Sequence, residues 1–244
     1  MDTQLADFIR ESRAGQIAED ILRKCVHCGF CTATCPTYQV LGDELDGPRG
    51  RIYLIKQVLE GQPVTEKTRI HLDRCLTCRS CESTCPSGVK YSHLLDVGRA
   101  VVESKLKRPL KEAVPRKLLA ELLPRPGLFA AAARVGRVLR PLLPSVLADK
   151  LPPAQALTRP WPQGQTHARR MLALAGCVQP ALAPNINAAT ARVLDRLGIT
   201  LIEEAKAACC GAVRHHLNEQ EAALADMRRN IDAWWPHVEA GIEA

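Results

Sequence analysis

Two short cysteine runs, offset from each other by 50 positions, constrain the fold of this chain more than any other feature. Each run has the spacing C-x2-C-x2-C-x3-C followed by proline, with Pro36 after the first run and Pro86 after the second. The first run contains Cys25, Cys28, Cys31 and Cys35, and the second contains Cys75, Cys78, Cys81 and Cys85. Because every equivalent pair has the same offset, the segment is interpreted as an internal duplication.

This spacing is typical of cysteines that hold a 4Fe–4S cluster. Each of the four irons needs one thiolate, and two residues between successive cysteines allow one tight loop to supply three. In two-cluster ferredoxins the fourth cysteine of one run ligates the other cluster. Carried over to this chain, the first cluster would be held by Cys25, Cys28, Cys31 and Cys85, and the second by Cys75, Cys78, Cys81 and Cys35.

Zinc and disulfide bonds are the two alternatives to iron and sulfur. Structural zinc usually takes two separated C-x2-C pairs per ion, whereas each run here places three cysteines at this spacing. Disulfides are rare in reducing compartments, and a total of 11 cysteines is an odd number. The N-terminus carries no signal-peptide pattern, and no stretch of 18 apolar residues occurs. A cytoplasmic chain without a membrane span is therefore expected.

The pattern along the chain predicts an α+β protein in three parts. Residues 1–108 are expected to form an α-helical ferredoxin domain, with a helix between the cysteine runs that Asp46 caps. Residues 109–167 form a Pro-rich, basic helical connector, because the stretch from Lys105 to Arg170 has 14 Lys and Arg but 3 Asp and Glu. Residues 168–244 begin an α/β domain.

The α/β prediction comes from the order of elements after residue 168. A buried strand ends at Cys177, an amphipathic helix follows from Asn187 to Leu197, and a second strand runs from Ile199 to Glu204. Strand, helix and strand in this order suggest a small parallel sheet. Two further helices are expected, one from His215 to Met227 and one from Arg229 to Ile242.

Three cysteines lie outside the two runs, namely Cys177, Cys209 and Cys210. Free cysteines often pack as small buried apolar residues. Spacing alone leaves core packing and metal binding equally open for these three. The cysteine runs upstream favour metal binding, because a third redox centre would extend the same electron path.

Resemblance adds to this interpretation. The Cys-Cys-Gly at residues 209–211, after a distant single cysteine, resembles the cysteine-rich domain of the heterodisulfide reductase family. The chain as a whole resembles the iron–sulfur subunits of bacterial glycolate oxidase (glycolate dehydrogenase). The stretches that carry this resemblance are CVHCGFCTATCPTY, LGDELDGPRGRIYLIKQVLEG, HLDRCLTCRSCESTCPSGVKY, PNINAATARVLDRLGI, CCGAVRHHLN and NIDAWWP.

The resemblance implies an electron-transfer subunit with two 4Fe–4S clusters and no substrate site of its own. Flavin-containing partner subunits would oxidise glycolate to glyoxylate, and electrons would pass to a quinone or another acceptor, at the inner face of the cell membrane. In that family the cysteine-rich region is longer, so the chain is expected to be truncated and a third centre at Cys177, Cys209 and Cys210 to be incomplete. No Gly-rich dinucleotide loop or P-loop occurs.

Two other functions stay open at this point. Similar cysteine layouts occur in the iron–sulfur subunits of lactate and glycerol-3-phosphate dehydrogenases and of heterodisulfide reductase. A non-enzymatic zinc module that binds nucleic acid through its basic segment is the third hypothesis. The basic residues lie outside the cysteine runs without interleaved aromatic residues, so a nucleic-acid partner is not expected.

Overall fold

The computed structural model describes residues 1–149, 151–162 and 166–243. Its contacts divide the chain into an N-terminal unit, Met1–Pro109, and a C-terminal unit, Leu110–Ala244. Helices predominate, and the C-terminal unit adds a small parallel sheet, so the predicted α+β class is confirmed. None of the helices in the described residues has the length and apolar character required to cross a bilayer.

The N-terminal unit is helical throughout, as the sequence predicted. Its α-helices are α1 (Asp7–Arg10), α2 (Arg13–Lys24), α3 (Pro36–Leu41), α4 (Pro48–Leu59), α5 (Glu66–Asp73), α6 (Ser80–Thr84) and α7 (Tyr91–Lys105). Two 3₁₀ turns, Phe30–Thr32 and Glu44–Asp46, lie between them. The first cysteine run occupies the segment from the end of α2 to the start of α3, and the second runs from α5 to the end of α6.

Side chains and proline mark where these helices begin. Ser12 caps α2 by accepting a hydrogen bond from the Gly15 amide at 2.9 Å, and Thr65 caps α5 by accepting from the Thr68 amide at 3.2 Å. Pro48 begins α4, where a missing amide hydrogen costs nothing. These local signals fix the ends of the helices that carry the two cysteine loops.

The core of the N-terminal unit lies between α2, α4, α5 and α7. Its fully buried aliphatic side chains are Leu22, Ile55, Val58, Leu59, Leu72, Leu94 and Leu95. Burial of each such side chain stabilises the fold by about 1.5–3 kcal/mol relative to exposure. Gly98 allows α7 to approach α4 closely, because a Cβ atom there would lie 2.6 Å from Cγ1 of Ile55. The cysteine loops are therefore connected to helices that pack tightly against one another.

Asp46 does not have the role predicted for it. The residue before α4 is Gly47, and no side chain caps that helix. Asp46 ends a 3₁₀ turn and is completely buried. The prediction was wrong because a sequence pattern cannot distinguish a capping carboxylate from one that tertiary partners bury.

The C-terminal unit contains helices and a two-stranded sheet. Its helices are α8 (Leu110–Leu122), α9 (Pro126–Val138), α10 (Ser145–Ala148), α11 (Gln179–Leu182), α12 (Asn185–Arg196), α13 (Ala212–His216) and α14 (Gln220–Glu239), with a 3₁₀ turn at Arg140–Leu142. Strand β1 (Arg169–Ala173) pairs in parallel with β2 (Ile199–Glu203), with Met171 opposite Leu201. Helix α12 connects the two strands and packs on β2.

The end of the chain differs from the prediction of two helices of similar length. The residues His215 and His216 belong to the short α13, and one continuous helix, α14, follows from Gln220 to Glu239. The break falls at Asn218, which adopts a left-handed φ of 67°. No residue between Met227 and Arg229 disfavours a helix, so the expected break there does not occur.

Candidate functional site

The two C-x2-C loops have the same backbone conformation. His27 in the first loop and Thr77 in the second have left-handed φ values of 60° and 54°. Two positions later, Gly29 and Arg79 are also left-handed, with φ values of 87° and 61°. Non-glycine residues rarely adopt this region, so its occurrence at equivalent positions indicates that both loops turn the chain in the same specific way.

The two runs meet through equivalent residues. The Thr84 hydroxyl donates to the Thr34 hydroxyl at 3.2 Å, and these residues are 50 positions apart. The Thr34 hydroxyl also lies 3.3 Å from the Ser80 carbonyl oxygen at the start of α6. This contact brings the last cysteine of each run towards the first three cysteines of the other.

The first cavity holds cysteines from both runs. It is lined by Cys25, Cys28, Cys31 and Cys85, together with Cys81. Cys25 is buried and Cys28 is exposed, so the cavity extends from the core to the surface. Three thiols of the first run and the last thiol of the second therefore surround one space.

The second cavity repeats this arrangement with the runs exchanged. Its cysteines are Cys75, Cys78, Cys81 and Cys35. Cys78 is exposed and corresponds to Cys28 of the first cavity. Cys81 lies in the wall between the two cavities and lines both of them. This grouping of thiols is the one that crosswise ligation of two clusters requires.

Burial keeps several of these thiols protonated when no metal is bound. Burial raises the pKa of Cys31 to about 11, with a further contribution from the neighbouring Cys25. Burial and the nearby Cys75 raise the pKa of Cys81 to about 12. At the exposed position, hydrogen bonds from the backbone and side chain of Ser80 lower the pKa of Cys78. Metal binding here would therefore release protons from the buried thiols.

The spacing of the sulfur atoms can be compared with that of the ligands of a single zinc ion. Tetrahedral zinc with Zn–S bonds of about 2.3 Å holds its sulfur ligands about 3.8 Å apart. Among the residues that the structure describes, no three cysteine sulfurs lie within 4.8 Å of one another. The thiols therefore do not have the mutual spacing of the ligands of one zinc ion.

Two buried polar atoms at these cavities have no hydrogen-bond partner among the described residues, apart from a contact of Tyr91 with the thiol of Cys75. They are Nε2 of His27, which lines the first cavity, and the hydroxyl of Tyr91, which lines both. Buried polar groups in proteins are almost always hydrogen-bonded. Cluster sulfides or cysteine thiolates are acceptors of the kind these atoms lack. The cavities therefore fit a 4Fe–4S cluster each, both in thiol grouping and in unpaired donors.

A buried ionic network connects the second cavity to α4 and α5. The Asp46 carboxylate accepts hydrogen bonds from Arg74 at 2.8 Å, His71 at 3.0 Å and Arg51 at 3.4 Å. The Thr37 hydroxyl donates to the Asp46 carbonyl at 2.8 Å and lies 3.2 Å from the sulfur of Cys35. The network thereby fixes the position of the thiol that crosses to the second cavity.

The three remaining cysteines lie in the C-terminal unit. Cys209 is fully buried and neighbours Cys177, whereas Cys210 is exposed. Burial raises the pKa of Cys209 to about 11. Asn230 of α14 holds this loop by donating to the Cys209 carbonyl at 2.8 Å and accepting from the Ala208 amide at 3.0 Å. A third centre would therefore have two adjacent thiols here, with Cys210 on the surface.

Sequence reasoning found the cysteines but missed two features of their surroundings. Tyr91 was expected only to begin a helix, and its place between the cavities has no local sequence signal. Asp46 was expected to be a cap, although its partners on α5 lie 25 and 28 residues further along the chain. Both features depend on contacts between segments that are distant in sequence.

Comparisons with known proteins support the two-part organisation. Residues 21–89 match the model of the 4Fe-4S dicluster domain, and residues 171–242 match that of the cysteine-rich domain. The chain is 62% identical over 244 residues to the glycolate oxidase iron-sulfur subunit of Escherichia coli (strain K12), which covers 100% of this chain and 60% of that protein. It is 32% identical to the probable glycolate oxidase iron-sulfur subunit of Bacillus subtilis (strain 168), over 88% of this chain and 54% of that protein.

A more distant sequence similarity covers only a smaller part of the chain. The succinate dehydrogenase iron-sulfur subunit of Paracoccus denitrificans is 30% identical over 77 residues, which is 29% of this chain and 30% of that protein. No solved structure matches the chain significantly. The chain thus spans less than two thirds of the length of its glycolate oxidase relatives. The chain thus matches a 4Fe-4S dicluster domain and a cysteine-rich domain, and along its whole length it is similar to part of the glycolate oxidase iron–sulfur subunit of Escherichia coli.

Proposed function

We propose that this chain is an electron-transfer component of a glycolate-oxidising complex. In this proposal, flavin-containing partner subunits oxidise glycolate to glyoxylate, and this chain passes the electrons to a quinone or another acceptor. The observation that carries the proposal is the pair of neighbouring cavities, each lined by three thiols of one run and the last thiol of the other. The 62% identity to the Escherichia coli subunit supports the choice of complex.

The proposed ligands follow from the lining of the cavities. Cys25, Cys28, Cys31 and Cys85 would hold the first cluster, and Cys75, Cys78, Cys81 and Cys35 the second. When bound, 4Fe–4S clusters supply one-electron redox chemistry. The residues of the chain supply the thiolates, exclude water through the aliphatic core beneath them, and place the two sites side by side with Cys81 and Tyr91 between them.

We place the protein in the cytoplasm, in contact with the inner face of the cell membrane where a quinone acceptor would be reached. The basic stretch between Lys105 and Arg170 supports this location, because positive charge favours contact with anionic lipid. Cys177, Cys209 and Cys210 would contribute to a third iron–sulfur centre whose remaining ligands lie elsewhere.

Metal analysis tests the presence of the clusters. The chain is purified without oxygen, and its iron and acid-labile sulfide are measured beside the EPR spectrum of the reduced protein. We expect about eight iron atoms and eight sulfides for the two cavities, with two interacting 4Fe–4S signals. Stoichiometric zinc in a colourless protein would contradict the proposal.

Four variants test the crosswise ligand sets. Cys28→Ser and Cys78→Ser serve as references for loss of the first and the second cluster, because each of these exposed cysteines lines one cavity. Crosswise ligation predicts that Cys85→Ser gives the spectrum of Cys28→Ser, and that Cys35→Ser gives that of Cys78→Ser. The opposite correspondence would show that each run ligates its own cluster.

The choice of substrate is tested in the assembled complex. The chain is co-expressed with glycolate oxidase flavin subunits, isolated by a tag on this chain, and mixed with glycolate under argon. We expect the flavin subunits to co-purify and glycolate to generate the EPR signals of reduced clusters. Reduction by lactate or glycerol 3-phosphate, with no response to glycolate, would reassign the protein to one of the related dehydrogenases.

A further inference from the structure

Tyr91 occupies an unusual place between the two thiol cavities. It is the first residue of α7, only 4% of its surface is exposed, and its ring is in the wall of both cavities. Apart from the thiol of Cys75, its hydroxyl oxygen has no hydrogen-bond partner among the described residues. Tyrosine is the one hydroxyl-bearing aromatic residue in this wall, where a phenylalanine would fill the same space without a polar group to satisfy.

The partner of this hydroxyl is expected on the side of the second cavity. Cys75 and Cys81 are the cysteines that interact with it, and both line that cavity. The buried Arg51 guanidinium also lies in the wall of the second cavity, but it donates to Asp46, Thr37 and the His71 carbonyl, and it has no lone pair to offer a hydroxyl. Sulfur is therefore the acceptor that this environment provides.

We propose that the Tyr91 hydroxyl donates a hydrogen bond to a sulfur of the cluster held by Cys75, Cys78, Cys81 and Cys35, and thereby raises the reduction potential of that cluster. This inference rests on the proposed binding of two clusters. Reduction adds negative charge to the cluster and its sulfurs. A donor that points at sulfur stabilises the reduced form more than the oxidised form, so it raises the potential.

The same argument explains why the effect should differ between the two sites. The two loops share left-handed φ values at equivalent positions, but the side chains that line the two cavities differ. The residue 50 positions before Tyr91 is Leu41, which is half exposed and has no hydroxyl. No hydroxyl therefore occupies the equivalent position in the first half, and an unpaired polar atom in the wall of the first cavity is Nε2 of His27.

The test is an EPR-monitored redox titration of the reconstituted full chain, wild type beside Tyr91→Phe. Loss of one hydrogen bond to a charged acceptor should change the ratio of oxidised to reduced second cluster about tenfold at a fixed potential, equivalent to a negative shift of about 59 mV. The first cluster should keep its potential. Tyr53→Phe is the matched control, because Tyr53 is 45% exposed and lines neither cavity, and no shift is expected.

A second measurement does not depend on the stability of the variant. Biosynthetic replacement of tyrosine by 3-fluorotyrosine makes the hydroxyl a stronger donor and should shift the second cluster to a more positive potential. The same labelling in Tyr91→Phe should then have no effect.

The outcomes separate this inference from the function on which it rests. A wild-type chain that binds no clusters would overturn the proposed function. A loaded chain in which Tyr91→Phe and fluorotyrosine leave both potentials unchanged, or in which only the first cluster responds, would overturn the role of Tyr91 alone.

Discussion

Replacement of Asp46 by asparagine should destabilise the N-terminal unit severely. The Asp46 side chain is completely buried, and its partners Arg51 and His71 are 1% and 10% exposed. Asparagine removes the negative charge and turns an NH₂ group towards groups that are themselves donors. The Arg51 guanidinium is then left buried without its counter-charge. Removal of one member of a buried ion pair costs about 3–5 kcal/mol.

The assay is thermal unfolding of the iron-loaded protein under argon, followed by circular dichroism and by visible absorption. In a domain of this size each kcal/mol lowers the melting temperature by about 4 °C or more, so we expect a fall of at least about 12 °C. Iron content is measured first, so that equally loaded samples are compared. A fall of less than about 4 °C would refute the reasoning, since it would mean that less than about 1 kcal/mol depends on this carboxylate.

Two further variants show whether the loss comes from the unpaired charge. Asp7→Asn removes a carboxylate that is 92% exposed and pairs with Arg10 at 2.9 Å, and it should leave the melting temperature unchanged. Arg51→Met in the Asp46→Asn background should cost less than Arg51→Met alone, with a coupling energy of about 0.5–3 kcal/mol. Simple additivity of the two changes would show that they act independently.

Three other predictions follow from the described contacts. Gly211→Ala should destabilise the C-terminal unit by about 1–3 kcal/mol in thermal melts, because Gly211 has φ +83° and a Cβ there would lie 2.8 Å from a carbonyl oxygen of α14. The control Gly198→Ala should cost about 1 kcal/mol, because Gly198 has φ +74° but open space around it. Equal losses of stability in the two variants would contradict the predicted clash at Gly211. Burial opposes ionisation of Glu60, but hydrogen bonds from Lys56 and the Gln4 amide outweigh it and lower its pKa. The stabilising contribution of Glu60 is therefore present above its pKa in the unfolded state and is lost as pH falls through its pKa in the folded state. The wild-type protein should then lose stability in acid faster than Glu60→Gln does. Parallel profiles of stability against pH for the two proteins would contradict this. Chelation of iron should unfold helices of the N-terminal unit, as seen by circular dichroism, and an unchanged melting curve after iron removal would show that the unit folds without its clusters.

The cysteine spacing was sufficient to predict the chemistry of the N-terminal unit. Residues 21–89 match the 4Fe-4S dicluster domain, and both cysteine loops have left-handed φ values at equivalent positions. Helices with clear apolar periodicity, such as α4 and α7, were also predictable, since packing of one face determines them. The strand–helix–strand order of the C-terminal unit followed from the same kind of pattern.

The spacing of cysteines and apolar residues along the sequence did not predict the tertiary contacts. Asp46 has the sequence surroundings of a helix cap, and only the packing of α5 against its turn makes it a buried anion. Tyr91 follows a short loop after Cys85 and looks like an ordinary start of a helix, although it closes the space between two cavities. The break between α13 and α14 depends on the left-handed Asn218, a conformation that local propensity did not predict.

The lining of the first cavity by cysteines of both runs has a consequence for biosynthesis. Cys25 leaves the ribosome 60 residues before Cys85, and the space these two residues help to enclose is not complete until both have emerged. With the proposed crosswise ligands, insertion of the first cluster would wait for translation of the second run, and a nascent chain that stalls between the runs would expose thiols that no partner yet shields from oxidation.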